Sequence, residues 1–278
     1  MDTTRLKTLL YWTATAVIAA ELAVGGVWDV LRTDYVRDVL ETQLGFPSYV
    51  AVILGFWKIA GAVALLVPGF PRLKEWAYAG ACFVYLTAAV SHAVDGDGLF
   101  ALGPAGFAAI TAASWALRPK GRRDPSAEGW LFTRFARGGK GARIAYWLTT
   151  GTILLVWGSG GIADITQVPE TVAGMELLGY PVYFVVLLGI WKLLGAVALA
   201  VPRFPRLKEW AYAGTVFELT GAVISHAVSG SAAFHLFYTS AFALTAAASW
   251  ALRPADRVLG FEAPENTWRL PALARAGA

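Results

Sequence analysis

The sequence predicts an all-α, polytopic membrane protein with eight transmembrane helices, arranged as two parallel, tandem four-helix bundles. Three observations predict it. Apolar residues make up 57% of the 278 residues and charged residues only 15%. Soluble domains run at about 45–50% and about 25%, so this chain is too poor in charge to cover a water-facing surface of its size. The apolar residues also fall in eight runs, each near the length of about 20 residues that a helix needs to cross a hydrocarbon core. Finally, the first four runs return, in order and spacing, as the second four.

In chain order the predicted spans are Leu9–Val30, Tyr49–Val67, Trp76–Val94, Leu99–Leu117, Ile144–Ala163, Val182–Val201, Trp210–Val228 and Ala232–Leu252. The first is read as a span and not as a cleaved signal, because it is long, follows Arg5 and Lys7, and lacks a small-residue exit site. Two connections, Asp34–Leu44 and Pro169–Leu178, read as short amphipathic helices at the membrane surface, with Pro169 suited to a first helical position. Each ends in Leu-Gly-aromatic-Pro (Leu44 to Pro47, Leu178 to Pro181), where the glycine ends one helix and the proline opens the next span.

The repeat is explicit. Phe70 to Gly80 recurs without change as Phe204 to Gly214, Ser114 to Pro119 as Ser249 to Pro254, and Tyr11-Trp12 as Tyr146-Trp147. The expected division is a first repeat over 1–119, a basic linker over 120–143, a second repeat over 144–254 and a disordered tail over 255–278. Of the 23 lysines and arginines, 19 fall on the loop side that carries both termini and the linker, and only Arg32 and Arg37 fall on the other. The positive-inside rule therefore places both termini in the cytoplasm. Four spans per repeat is an even number, so the repeats run parallel, and an inverted-repeat transporter architecture is not supported.

Charge placement also decides what the basic balance means. A net charge of +4 and a pI near 9.2 do not point to nucleic acid, because the charges sit in the turns between apolar runs. The single cysteine, Cys82, excludes a dithiol centre within one chain.

Few residues are placed to carry chemistry. Lys58 and Lys192 lie near the middle of their spans, each preceded by a tryptophan (Trp57, Trp191) and flanked by glycines three residues away on both sides. The glycines share the lysine face and leave room for a neighbouring helix, so the lysines are expected inside the bundle. A midplane lysine costs at least about 2.5–3.5 kcal/mol and must be paired, deprotonated or ligand-bound. Two glutamates lie at similar depth, and the expected pairs are Lys58 with Glu21 and Lys192 with Glu218. Glu21 aligns with Val156 and Glu218 with Val84, so the carboxylates are not repeat equivalents. These pairs are open to three readings: structural ion pairs, a site that handles protons or anions, or lysines that snorkel to an interface.

At the outer ends of the spans, His92 and His226 are repeat equivalents, as are Asp29 and Asp164. Asp–His pairing across each bundle would make a small outward-facing polar pocket; the plainer alternatives are headgroup-level histidines and helix-capping aspartates. His235 has no equivalent in the first half. No metal-ligand spacing is present, and the metal expectation is none. Trp12, Trp76, Trp115 and their copies Trp147, Trp210 and Trp250 read as an aromatic belt without chemistry. Arg72, Lys74 and their copies read as the positive-inside signal, with anionic lipid as their candidate contact.

These motifs together resemble the DoxX-like family. The features are Tyr-Trp opening the first span, Gly-Gly-x-x-Asp closing it, Leu-Gly-aromatic-Pro, Gly-x-Trp-Lys-x-x-Gly-Ala, the Phe-Pro-Arg-Leu-Lys-Glu-Trp segment, Ser-His, and the closing Ser-Trp-Ala-Leu-Arg-Pro. They cover about residues 11–119 and 146–254. The resemblance implies a four-span bundle per repeat in a bacterial inner membrane. In the wider group it implies subunits of quinone-linked oxidation and partners of membrane oxidoreductases. Most members resemble one half, so the two halves are expected to form an internal pseudo-dimer. The leading expectation is thus an accessory or quinone-proximal subunit of a membrane redox system, with quinone the first cofactor candidate, haem the weaker one, and an oxidoreductase the candidate partner. The alternatives are a small-solute or proton-coupled transporter built on the Lys/Glu pairs, and a purely structural scaffold.

Overall fold

The structure, a computed structural model, describes residues 2–123 and 139–260. Among these residues the regular structure is helical and no strand forms. The first repeat contains α1 (Thr3–Leu31), α2 (Asp34–Val36, continuing as a π-helical Arg37–Gln43), α3 (Ser48–Leu66), α4 (Pro71–Val94) and α5 (Gly98–Leu117), followed by a short α6 (Lys120–Arg123). The second contains α7 (Lys140–Ile165), α8 (Pro169–Leu177), α9 (Val182–Ala200), α10 (Pro205–Val228) and α11 (Ala233–Ala251). Among the described residues six helices, α1, α3, α4, α5, α7 and α9, are long and apolar enough to cross a membrane. The copies α10 and α11 match α4 and α5 in length to within one residue. Glu218 in α10, and His235, Tyr238 and Thr239 in α11, dilute their apolar character.

Within each repeat four long helices pack around one core. In the first, α1 lies on α3 and α5, and α4 lies on α3 and α5; in the second, α7 lies on α9 and α11, and α10 lies on α9 and α11. The cores are built on Ile18, Leu22, Leu65, Tyr78 and Tyr85, and on Ile153, Trp157, Leu199, Tyr212 and Leu219. Glycine sets the closest crossings. A Cβ on Gly55 would sit 2.6 Å from the Gly26 carbonyl oxygen, and one on Gly189 would sit 2.8 Å from that of Gly161. Only a missing side chain lets these backbones touch. Gly45 and Gly179 turn the chain into α3 and α9 at φ of 72° and 83°, a conformation open to glycine at no steric cost.

The long helices α1, α4, α7 and α10 start four or more residues before the expected spans, α1 at Thr3 and α7 at Lys140. Helices α4 and α10 begin at Pro71 and Pro205, more than a turn before the expected Trp76 and Trp210, because proline is pre-set for the first helical position. That extra turn is buried. Lys74 and Lys208 are fully inaccessible and cap neighbouring helix ends: Lys74 Nζ donates to the carbonyls of Ala64 (2.9 Å) and Val67, and Lys208 Nζ to those of Ala198 (3.0 Å) and Val201. A lysine at a helix C-terminus satisfies orphan carbonyls and complements the dipole. Arg72 is buried as well, so Arg72, Lys74 and Lys208 are internal cations and not lipid contacts.

The start of the tail is also ordered. Ala255–Arg257 form a 3₁₀ turn, and Arg257, Val258 and Leu259 are buried. Arg257 donates to the Leu199 carbonyl at 3.0 Å, and the Leu259 carbonyl accepts from Arg72 at 2.9 Å. Residues 261–278, and residues 124–138 of the expected linker, lie outside the described residues. Outside the long helices, Arg32 holds Glu41 through two bonds of 2.8 and 2.7 Å, and this guanidinium keeps the Glu41 carboxyl below the usual carboxylate range.

The repeats meet across α4 and α10, with α3 also on α10 and α9 on α4. Their contacts are reciprocal. Tyr49 donates to the Leu178 carbonyl at 2.6 Å and Tyr183 to that of Leu44 at 3.1 Å. Phe217 covers Gly80, and Phe83 covers Gly214. Such pairing of one surface with its own copy is the pattern of a two-fold interface, here inside one chain.

Candidate functional site

Lys58 and Lys192 project from α3 and α9 just past the glycine crossings. In the first repeat Lys58 Nζ meets Asp29 Oδ2 at 2.8 Å. Glu21 completes the group from one turn below Gly25 on α1. A Cβ on Gly25 would stand 3.0 Å from Glu21 Oε1 and 3.6 Å from Lys58 Nζ, so both charged atoms lie over this glycine. The Tyr85 hydroxyl of α4 donates to the other oxygen of Glu21. In the second repeat Lys192 Nζ meets Asp164 Oδ2 at 2.7 Å and Glu218 Oε1 at 3.5 Å. The lysine side chains retain only 15% and 21% of their exposure, so the groups are largely removed from their surroundings.

The two centres have the same composition and different construction. Each holds one lysine and two carboxylates. Lysine and aspartate are repeat equivalents; the glutamate comes from α1 in the first repeat and from α10 in the second. At the vacated positions stand Val156 and Val84. Leu219 replaces Tyr85, so Glu218 has no phenol donor from that position. Trp57 and Trp191 flank the lysines at the seam between repeats, edge-on to Phe217 (4.9 Å) and Phe83 (5.0 Å) of the opposite repeat. The indole N–H of Trp191 is buried without a hydrogen-bond partner.

The aspartates are therefore not where the Asp–His pocket required them. Asp29 and Asp164 face the lysines one to two turns deeper, because a lysine pointing back toward the start of α3 or α9 reaches outward along its helix. His92 is buried beside Phe100, 6.2 Å between ring centres, with Nδ1 lacking a partner. His226 Nδ1 meets Ser231 Oγ at 3.1 Å, and its ring stacks on His235 at 5.4 Å. The first repeat has Asp97 and Phe100 at those two positions, and Asp97 accepts from Gln43 at 3.4 Å. Among the described residues no group of three or more histidine, cysteine, aspartate or glutamate side chains could hold a metal ion.

Sequence reasoning missed a second pair of charged centres at the end bearing the termini. Glu75 and Glu209 are fully buried. Glu75 accepts from Arg118 (2.7 Å), Trp115 (2.9 Å) and Trp210 (2.9 Å), and meets Arg206 at 3.0 Å. Glu209 accepts from Trp250 (3.1 Å) and Trp76 (3.0 Å) and meets Arg253 at 2.9 Å. Trp76, Trp115, Trp210 and Trp250 thus bind carboxylates and do not form a lipid belt. Trp12 and Trp147 remain half-exposed at the helix ends, under Arg122 and Arg257 at 4.7 Å. The signal was present in the unbroken Lys-Glu-Trp copies, since a charged residue repeated next to a proline-started helix is buried as readily as it is solvated.

In the Glu75 centre two arginines face one carboxylate, and in the Glu209 centre one faces one, so neither carries excess negative charge, as suits a structural device. The lysine centres are not balanced. One cation faces two carboxylates, so each becomes neutral by taking up one proton or binding one further cation.

A protein-family model described as the DoxX-like family matches residues 13–114 and again residues 148–249. No curated protein and no solved structure matches the chain.

Proposed function

The chain belongs to the DoxX-like family, and we propose that this member is an eight-span, proton-coupled transporter of a small solute whose Lys58–Asp29–Glu21 and Lys192–Asp164–Glu218 centres are its proton sites. Eight spans follow if α10 and α11 cross as their copies α4 and α5 do. The bias of basic residues supports cytoplasmic termini and a cytoplasmic linker, and the family resemblance supports a bacterial inner membrane.

The observation that carries this reading is the relocated glutamate. A lysine buried for packing alone needs one carboxylate. Both repeats supply two, from different helices, so the ratio of one cation to two carboxylates is kept although the position is not. A ratio held in this way points to charge stoichiometry as the working property, and a net negative buried group binds a proton. The test is infrared spectroscopy of the full chain in liposomes. A protonated-carboxyl band that shifts in D₂O, reduced in Glu21→Gln and again in Glu218→Gln, supports the reading, together with proton movement into the vesicles that Lys58→Met and Lys192→Met abolish. A protein with no such band and no proton movement leaves the lysine groups as packing devices.

One observation favours a second reading, an accessory quinone-proximal subunit. His92 Nδ1 is buried and unpaired beside Phe100, as a group that bonds a ligand headgroup would be. Quinone carried through purification and lost in His92→Phe would put this reading first.

A further inference from the structure

Each repeat contains a second conserved quantity that sits in different residues. Near the end bearing the termini, Ser114 Oγ bonds Tyr78 Oη and Thr15 Oγ1, both at 2.8 Å. Its copy Ser249 bonds Tyr212 Oη and Thr150 Oγ1, both at 2.7 Å. All six side chains are buried to 1% exposure or less. These hydroxyl triads lie below the lysine centres: Tyr78 is seven residues, two turns or about 10 Å, from Tyr85.

The layer between is where the repeats diverge. Helices α4 and α5 are antiparallel, in a register fixed by Tyr78 on Ser114 and by Tyr85 stacked on Phe107 at 5.5 Å. That register puts Ala81 opposite Thr111. In the second repeat the pairing of Tyr212 with Ser249 puts Thr215 opposite Ala246. One threonine therefore occupies this layer in each repeat, contributed by α5 in the first and by α10 in the second, with alanine facing it. Thr111 and Thr215 are both fully buried. Each donates to the carbonyl four residues back, Phe107 at 2.7 Å and Ala211 at 2.8 Å, which leaves the oxygen lone pairs free to accept. Above Thr111 stand Tyr85 and Glu21; above Thr215, one turn along the same face, stands Glu218.

We propose that these hydroxyls form a proton route in each repeat, from the Tyr–Ser–Thr triad through Thr111 or Thr215 to Glu21 or Glu218. This rests on the proton-site reading of the lysine centres. A proton entering at the triad is passed by hydroxyl rotation and exchange, each oxygen accepting one proton and releasing its own, and it ends on the glutamate carboxylate, which becomes the acid. The layers are about 5 Å apart along the axis, a gap that one bridging water spans. A threonine kept only to fill space has no reason to change helices within one layer; a route needs an oxygen in that layer from either side.

The test reads the hydrogen–deuterium exchange rate of the glutamate carboxyl band in the reconstituted full chain. Thr111→Val, in a Glu218→Gln background that isolates the first repeat, should slow exchange roughly tenfold, as should Thr215→Val in a Glu21→Gln background. The decisive variant returns the oxygen from the opposite helix: Ala81→Thr with Thr111→Ala should restore the rate, which a volume or stability effect of Thr111→Val would not produce. A band that is present but exchanges at an unchanged rate in both threonine variants overturns the route and leaves the proton sites standing. A band that is absent removes both.

Discussion

Trp210 donates its indole N–H to Glu75, 135 positions earlier in the chain and in the other repeat, at 2.9 Å. Trp76 makes the reciprocal bond to Glu209 at 3.0 Å. Each glutamate thus holds its own repeat through Trp115 or Trp250 and the opposite repeat through the exchanged tryptophan. The halves are joined by buried, charge-assisted bonds, which exceed neutral ones in strength.

Removing one of these carboxylates should be severe. Glu75→Ala leaves Arg118 and Arg206 facing an uncompensated cavity, and breaking a buried pair costs about 3–5 kcal/mol. Trp210→Phe keeps most of the ring and loses one donor, for about 1–3 kcal/mol. Thermal unfolding in detergent should rank Glu75→Ala well below Trp210→Phe. Equal midpoints would mean that the carboxylate contributes little beyond its one indole partner.

The lysine centres allow a sharper experiment, because the chain already contains both solutions to the same problem. Glu21→Val should remove the exchangeable carboxyl of the first repeat. Adding Val84→Glu copies the arrangement of the second repeat, where Glu218 meets Lys192 at 3.5 Å, and should bring the carboxyl back. If, in a Glu218→Gln background, the double variant shows no carboxyl band while Glu21→Gln also lacks one, the site requires Glu21 at its own place, with Tyr85 donating to it, and charge ratio is not its governing property.

Much of the fold was legible because membrane burial writes itself into composition and length: the apolar runs, the Leu-Gly-aromatic-Pro turns and the repeat offsets all map onto helices and their ends. Pairing within the membrane was less legible. Depth along a helix can be counted, and it placed Lys192 near Glu218 and Lys58 near Glu21. It also kept Asp29 apart from Lys58, because residue counting gives the height of a Cα and not the reach of a lysine, whose chain spans more than a turn. The buried Lys74 reads from the sequence as a headgroup-side charge for a related reason. Charge next to a loop looks alike whether it faces headgroups or a neighbouring repeat, and only the inter-repeat packing distinguishes them.

The glycines next to the lysine centres separate site from scaffold. Gly26 is held between backbones: a Cβ there would meet the Gly55 carbonyl and Ile59 at 2.9 Å, so Gly26→Ala must push α1 and α3 apart and lower stability. Gly25 is different. Its Cβ would meet only the carboxylate end of Glu21 at 3.0 Å and Lys58 Nζ at 3.6 Å, both flexible tips. Gly25→Ala should therefore leave unfolding unchanged or raise it by up to about 1 kcal/mol through helix propensity, while displacing Glu21 and altering its carboxyl band. Gly160, the copy of Gly25, has open space within 4 Å, because Val156 stands where Glu21 would be. Gly160→Ala should bring the same gain in stability and leave the Glu218 band untouched. A shifted Glu21 band in Gly25→Ala with an unshifted Glu218 band in Gly160→Ala places the first carboxylate over α1. Identical behaviour of the two variants would contradict that placement and, with it, the relocation on which the proton-site reading stands.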